Sequence, residues 1–273
     1  MRASLPIYYI NLDNRPERRD FMEAQFARLG LSATRVSAVT PHGPRPDALA
    51  PHVDPRAGHW LTPLVEACGL SHLLCWTMLL AAPGRPDWAL VLEDDGVLST
   101  SLPAFLEAFG AQAEGTDADI VQLEVQLLHR ARILPARYTL ASGHRLARFR
   151  STPYGSGAYL ISRRAAESLL GRRDLFHQPI DIAMFRPFIG PGRSLRSYLS
   201  DPGLCIQLEV AGSASEASRS DVSQDRFAAM MPGRRFLRRQ VVGSLNFIDH
   251  LVHLPRGLAN KMIPFDGDPT THD

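Results

Sequence analysis

Residues 88–99 read WALVLEDDGVLS, an apolar run that breaks off into three consecutive acids, Glu93, Asp94 and Asp95. The run has no alternating polar residues and predicts a strand buried on both faces. Packing does not explain the acids, because adjacent carboxylates repel one another and resist burial. Two readings follow: a solvated turn after a strand, or negative charge kept there to hold a cation.

The surrounding chain decides the fold class. IYYINL at 7–12 reads as a second buried strand, followed by Asp13 and Asn14 as cap candidates and Pro16 near a first helical turn. Phe21, Met22, Phe26 and Leu29 form a helical apolar face that Gly30 ends, and 33–39 suits the next strand. Strand–helix–strand order predicts an α/β fold, a mostly parallel central sheet flanked by helices. Further along, 64–82 reads as a helix with Cys68, His72, Cys75, Trp76 and Leu79 along one face, and 101–111 as another. ADIVQL at 118–123 is a strand ending at Glu124, 155–170 runs from a glycine turn through a strand into a helix, and 179–188 is a short helix carrying Asp181. The Pro-, Gly- and His-rich connection 40–63 and the segment 125–150 carry no readable motif. The expected organisation is a main domain over 1–210, a small polar linker over 211–226 (AGSASEASRSDVSQDR) and a basic, partly amphipathic segment over 227–273.

Bulk properties exclude some functions. The chain has 273 residues, 45% apolar and 21% charged, as a soluble globular protein does. Its formal charge of +2 gives no ground for nucleic-acid binding, and Lys261 is its only Lys, so scattered Arg residues carry little weight as ligands. Cys68, Cys75 and Cys205 lack a metal-ligand spacing and read as reduced, buried thiols. The start MRASLPIYYINL does not resemble an export signal, and no stretch approaches the roughly 20 apolar residues of a spanning helix. A cytoplasmic protein is expected, free or attached to the inner membrane surface.

Chemistry is expected where strands end in carboxylates. In parallel α/β sheets, ligands bind beyond the carboxyl ends of the strands. Acids there suit Mg²⁺ or Mn²⁺, hard cations that share oxygen ligands with substrate phosphates. Five blocks stand in order: INLDNRPERR at 10–19, EACGLSH at 66–72, LVLEDD at 90–95, GSGAYLISRRAAESLL at 155–170 and QPIDIAMF at 178–185. Together they resemble glycosyltransferase family 25, which includes bacterial lipopolysaccharide and lipooligosaccharide glycosyltransferases and the collagen galactosyltransferases. The resemblance covers roughly 6–210, and it looks nearest the lipooligosaccharide β-galactosyltransferases, by overall length and by DPGLCIQ at 201–207.

The resemblance implies a GT-A type nucleotide-sugar-binding fold, a UDP-sugar donor, commonly UDP-galactose, a divalent cation (Mn²⁺ or Mg²⁺) and inversion at the anomeric carbon. Asp94 and Asp95 then stand nearest metal and diphosphate, with Glu93 on the ribose or ordering the loop. Asn11, Arg15, Arg18 and Arg19 at a helix start suit uracil, ribose or phosphate; the bland alternative is a capped helix with solvated Arg residues. Ser71 and His72 are donors to the diphosphate or orient the acidic loop, and otherwise are packed core residues. Gly155 and Ser156 allow close backbone approach by a ligand, or are plain turn residues. An inverting transfer needs a base for the acceptor hydroxyl. Asp181 is the first choice, its alternative being a helix cap, and Glu124 the second, as base or acceptor contact. Three positions depart from the family's pattern: Ser156 stands for Thr, Ala67 for Gly, and Gly96 for an apolar residue.

Arg234, Arg235, Arg238 and Arg239 precede Leu237, Val241, Leu245, Ile248 and Val252 at helical spacing. That is a basic amphipathic helix suited to an anionic membrane and a lipid-linked saccharide acceptor, or a helix packed on the core. Competing functions are a Mg²⁺-dependent phosphohydrolase or nuclease, which also clusters acids, and a non-catalytic saccharide- or nucleotide-binding protein.

Overall fold

In the computed structural model of the chain, the described residues are 5–50, 52, 61–126, 129–151, 155–208 and 232–267, with backbone alone over 232–239. The linker 211–226, parts of the two motif-poor segments and the side chains of Arg234, Arg235, Arg238 and Arg239 lie outside them.

Strand β1 (Ile7–Asn11) is buried along its whole length. Helix α1 (Pro16–Leu29) starts with Pro at its first turn and ends at Gly30, whose φ of 64° is the left-handed conformation that glycine adopts without strain. Strand β2 (Thr34–Ser37) returns parallel to β1. Helix α2 (Pro63–Ala81) is capped by Thr62, whose side chain accepts from the Val65 N–H. By length and composition α2 would suffice to cross a bilayer, contrary to the expectation that no stretch would. Its apolarity has another cause: Leu70, Leu73, Trp76 and Leu79 are buried in the core.

Strand β3 (Trp88–Glu93) turns through the acids into the short β4 (Gly96–Leu98), and α3 (Leu102–Gln112) follows. After β5 (Ile120–Gln122) come three strands that the sequence did not announce, β6 (Arg130–Ile133), β7 (Tyr138–Thr139) and β8 (Arg145–Arg148). Then come β9 (Ala158–Ser162), α4 (Arg163–Leu170), α5 (Ile180–Phe185), β10 (Ser197–Asp201) and β11 (Cys205–Gln207).

The main sheet has the order β2-β1-β3-β9-β5-β10-β8-β7. Six of these strands share one direction, and β9 and β8 run the other way. Alternate residues serve opposite faces. Tyr8, Ile10 and Val91 pack on the side of α2 and α4, while Tyr9, Leu90 and Leu92 pack with Met22, Phe26, Phe105 and Phe109 from α1 and α3. The result is the expected sheet flanked by helices.

The C-terminal segment returns to this body. Helix α6 (Pro232–His253) leads to β12 (Ala259–Met262), which pairs antiparallel with β6. Ile263 is buried in the core.

Candidate active site

The sheet brings the blocks together at one edge. Ile10 is level with Glu93, Leu92 with Ala158, and Gln122 with Tyr159. The carboxyl ends of β1, β3 and β5 therefore meet the start of the reversed strand β9. Here a cleft with about 1050 Å³ of empty space, partly open to solvent, is lined by Asn11, Arg18, Ser71, His72, Glu93, Asp94, Asp95, Gly155, Ser156 and Asp181, among others.

The acidic turn is drawn inward, not solvated. Asp94 and Asp95 are buried. Asp94 accepts at both oxygens, from Asn11 Nδ2 at 2.7 Å and from Arg18 Nη1 at 2.9 Å. Burial raises the Asp94 pKa against the opposing pull of Arg18. Asp95 is held more loosely: Arg18 Nη1 lies 3.9 Å from Oδ2, and Oδ1 is buried without a partner among the described residues. Burial, then the neighbouring Glu93 charge, pushes the Asp95 carboxyl up to about 7. A buried carboxylate oxygen without a donor is costly unless a cation or proton meets it. Asp95 therefore fits a hard divalent cation. Asp94 mainly fixes Arg18 and Asn11, and would ligate only through its remaining lone pairs.

The turn is gripped from both sides. Gln25 of α1 donates to the Gly96 carbonyl at 2.9 Å and accepts from the Leu98 N–H at 2.8 Å. Opposite, the Leu208 N–H donates to the Asp95 carbonyl at 2.8 Å. Gly96, the departure from the apolar residue, has a local reason: a Cβ there would lie 2.8 Å from Cys205 Sγ.

Glu93 ends a chain of hydrogen bonds that rises out of the core. Trp76 Nε1 donates to the Tyr159 hydroxyl at 2.9 Å, which lies 3.0 Å from His72 Nδ1. His72 Nε2 lies 3.2 Å from Glu93 Oε1, and Ser156 Oγ donates to the same oxygen at 2.6 Å. A carboxylate only accepts, so Nε2 carries a proton, and in the neutral tautomer Nδ1 then accepts from the Tyr159 hydroxyl. His72 thus orients Glu93 from a fully buried position. The hydroxyl that Ser156 shares with the Thr it replaces is the group in use. Ser71 is occupied structurally: its hydroxyl donates to the Ala67 carbonyl and accepts from the Val39 N–H, both at 2.9 Å.

The glycine loop separates the two candidate bases. Gly155 has φ +93°, and a Cβ there would fall 2.3 Å from the Glu124 carboxylate. Glu124 is buried beneath the loop, accepting from the Gly157 N–H at 2.6 Å, with Oε1 unpartnered among the described residues. It borders a smaller neighbouring cavity with Gln122, Gln126 and His129, and it does not line the main cleft. Desolvation first, then the Glu93 charge, raises its pKa well above the ordinary carboxylate value. Asp181 does line the main cleft. It is not the cap of α5, a place that Pro179 takes. Its carboxylate accepts from the Gly155 N–H at 3.1 Å and the Ile182 N–H at 2.8 Å, tying α5 to the glycine loop.

Arg15 and Arg19 are not brought into the cleft. Arg15 sits at the cap of α1 with Nη1 3.6 Å from Glu17, and its carbonyl accepts from Asn11. Arg19 pairs with Asp20 and Glu23 on the outer side of α1. The sequence reading also passed over Gln25, Tyr159 and Arg35, whose Nε donates to Asn11 Oδ1 at 2.8 Å. Their signal was absent because each acts through a partner distant along the chain.

A chain that folds these blocks around one acidic cleft is a glycosyltransferase by family. It belongs to glycosyltransferase family 25, described as lipopolysaccharide biosynthesis proteins, whose profile matches residues 4–184. No curated protein matches it. Among solved structures it is similar to a glycosyltransferase involved in the glycosylation of the major capsid of PBCV-1, at 11% identity and TM-score 0.39 over 79% of this chain and 98% of that one. It is also similar to a mannose-1-phosphate geranyltransferase from Thermus thermophilus, at 12% identity and TM-score 0.37 over 73% of each chain. A third is the inositol-1-phosphate CTP transferase from T. maritima, at 9% identity and TM-score 0.36 over 81% of this chain and 94% of that one. At that distance none of the three bears on activity.

Proposed function

We propose that the protein is an inverting glycosyltransferase that moves a hexose, galactose first among the candidates, from a UDP-sugar to a saccharide acceptor in surface-glycan synthesis. The observation that carries this reading is the buried Asp95 Oδ1, unpartnered among the described residues, beside an Asp94 already held by Arg18 and Asn11. Asp95, with the remaining lone pairs of Asp94, would hold Mn²⁺ or Mg²⁺. Such a cation offsets the charge of a leaving diphosphate.

The chain's own residues do the rest. Arg18 and Asn11 keep the turn in place, and His72 and Ser156 aim Glu93 into the cleft towards the donor. Asp181, fixed by two backbone N–H groups, takes the acceptor hydroxyl proton as that oxygen attacks the anomeric carbon. Glu124 supports the glycine loop from below, which favours Asp181 over Glu124 as base. A panel of nucleotide sugars, titrated with and without Mn²⁺, tests donor and cation together. Cation-dependent binding of UDP-hexoses is expected, and cation-independent binding of all or none would overturn the reading.

The acceptor in this reading is lipid-linked, at the cytoplasmic face of the membrane. Helix α6 turns Val241, Phe247, Ile248, Leu251 and Val252 outward, with Phe247 63% exposed. It meets the body through polar groups, Asn246 with Arg132 and Asp249 with Arg150. An exposed apolar face on a helix that begins with Arg234, Arg235, Arg238 and Arg239 suits an anionic bilayer. Flotation with phosphatidylglycerol vesicles is expected for the full chain and not for Ile248→Glu/Leu251→Glu. Equal flotation of the two would remove the membrane contact.

A further inference from the structure

Cys68 and His72 stand one helical turn apart on α2 and face the end of β3. The Cys68 sulfur, a His72 ring nitrogen and a Glu93 carboxylate oxygen all lie within 4.8 Å of one another. The three residues line the same cleft as the acidic turn. We infer that Cys68, His72 and Glu93 form a second cation site that takes zinc, distinct in chemistry from the all-oxygen site at Asp95.

The donor sets separate the two ions. A thiolate, an imidazole and a carboxylate are the ligands of a borderline-soft ion that accepts tetrahedral geometry. Mg²⁺ requires oxygen ligands in octahedral array and does not compete for sulfur. Three protein ligands would leave a fourth coordination position for water or another ligand. Ligand atoms around tetrahedral zinc are about 3.5 Å apart, so small side-chain adjustments close the triad.

The outer partner that a ligating histidine needs is already in place. When Nε2 binds the ion, the His72 proton sits on Nδ1 and donates to the Tyr159 oxygen, 3.0 Å away. That oxygen has two lone pairs and also accepts from Trp76. Zinc therefore reverses the direction of the Tyr159–His72 bond, which takes from the Tyr159 O–H its Nδ1 acceptor, and replaces the His72–Glu93 bond; the metal bonds must outweigh both losses. Binding releases the Cys68 thiol proton, so affinity rises with pH.

Zinc at this triad does not depend on the donor sugar, and metal content and a cobalt spectrum read it without turnover. The full chain, stripped with EDTA and dialysed against Zn²⁺ in excess Mg²⁺, is expected to retain a single zinc ion. Loaded with Co²⁺ instead, it is expected to show a thiolate-to-cobalt charge-transfer band. Cys68→Ser is expected to lose the band and Asp95→Asn to keep it. Tyr159→Phe is expected to keep the band and weaken zinc binding about 10–100-fold. Should Cys68→Ser fail to fold, His72→Gln replaces it with the same expected loss. No retained zinc, a band that survives Cys68→Ser, or a band lost with Asp95→Asn would each overturn the site.

Discussion

At the acidic turn, Glu93, Asp94 and Asp95 are drawn towards the protein and met by Ser156, Asn11 and Arg18. On α6 the polar Asn246 and Asp249 face the body, and Phe247, Ile248 and Leu251 face water. Each region reverses the usual placement of polar and apolar side chains. Such reversals cost stability, and a ligand that binds the exposed or underpaired groups offsets the cost. Under the proposed function the ligand that would do so in the turn is a cation with its nucleotide, and on the helix a lipid surface. The two should therefore respond to different substitutions, and no variant in one region should mimic a variant in the other.

The largest effect is expected at Asp181. Asp181→Asn should lower the transfer rate by about 10²–10⁴-fold while leaving donor affinity nearly unchanged. Rate and affinity measured on the same preparation check this, and near-normal turnover would remove Asp181 as the base. Arg18→Met comes next. It leaves Asp94 without its counter-charge in a buried setting and should cost on the order of 3 kcal/mol of stability, read by denaturant unfolding. The loss should shrink when Mn²⁺ is added, which a purely structural ion pair would not show.

Glu124 gives a smaller, pH-dependent effect. Its folded-state pKa is raised above the ordinary value of 4.5. The folded state thus holds a proton that the unfolded chain releases. Its contribution to stability is present in full below about pH 4.5 and is lost as pH rises through the folded pKa. Glu124→Gln should flatten the fall in melting temperature above pH 5 and leave α6 docking intact; an unchanged slope would remove Glu124 as its source. The smallest change in stability is expected for Ile248→Glu/Leu251→Glu, within about 0.5 kcal/mol of the parent per exposed site. A large loss would mean that this face is packed, not presented.

Much of this contrast was legible in the sequence, unevenly. The strands IYYIN and WALVLE and the helices α1 to α5 follow from apolar runs, Pro at helix starts and Gly30 at a helix end. Their meeting at one edge follows from the α/β order. Strand β10, central and fully buried, was missed because SYLSD carries Ser200 and Asp201 inside, satisfied by the Pro202 carbonyl and by Arg145 and Lys261. Strands β6 to β8 are two to four residues long, and β6 and β8 are half Arg, too short and too charged for a readable strand pattern. The helical spacing of α6 was readable, but which side it buries was not. That is set by Arg132 and Arg150, a hundred or so residues away along the chain. At the site, the acids and His72 stood out by type. Their relation to Gln25, Arg35 and Tyr159 depends on strand register, which a single sequence does not display.

If Asp95 joins a divalent ion to a nucleotide's phosphates, as proposed, calorimetric titration of UDP into the protein will read it. With Mn²⁺ present, binding should be clear in the parent chain, and it should be lost both on removing the ion and in Asp95→Asn. UDP binding of equal strength without any cation, or in Asp95→Asn, would contradict it.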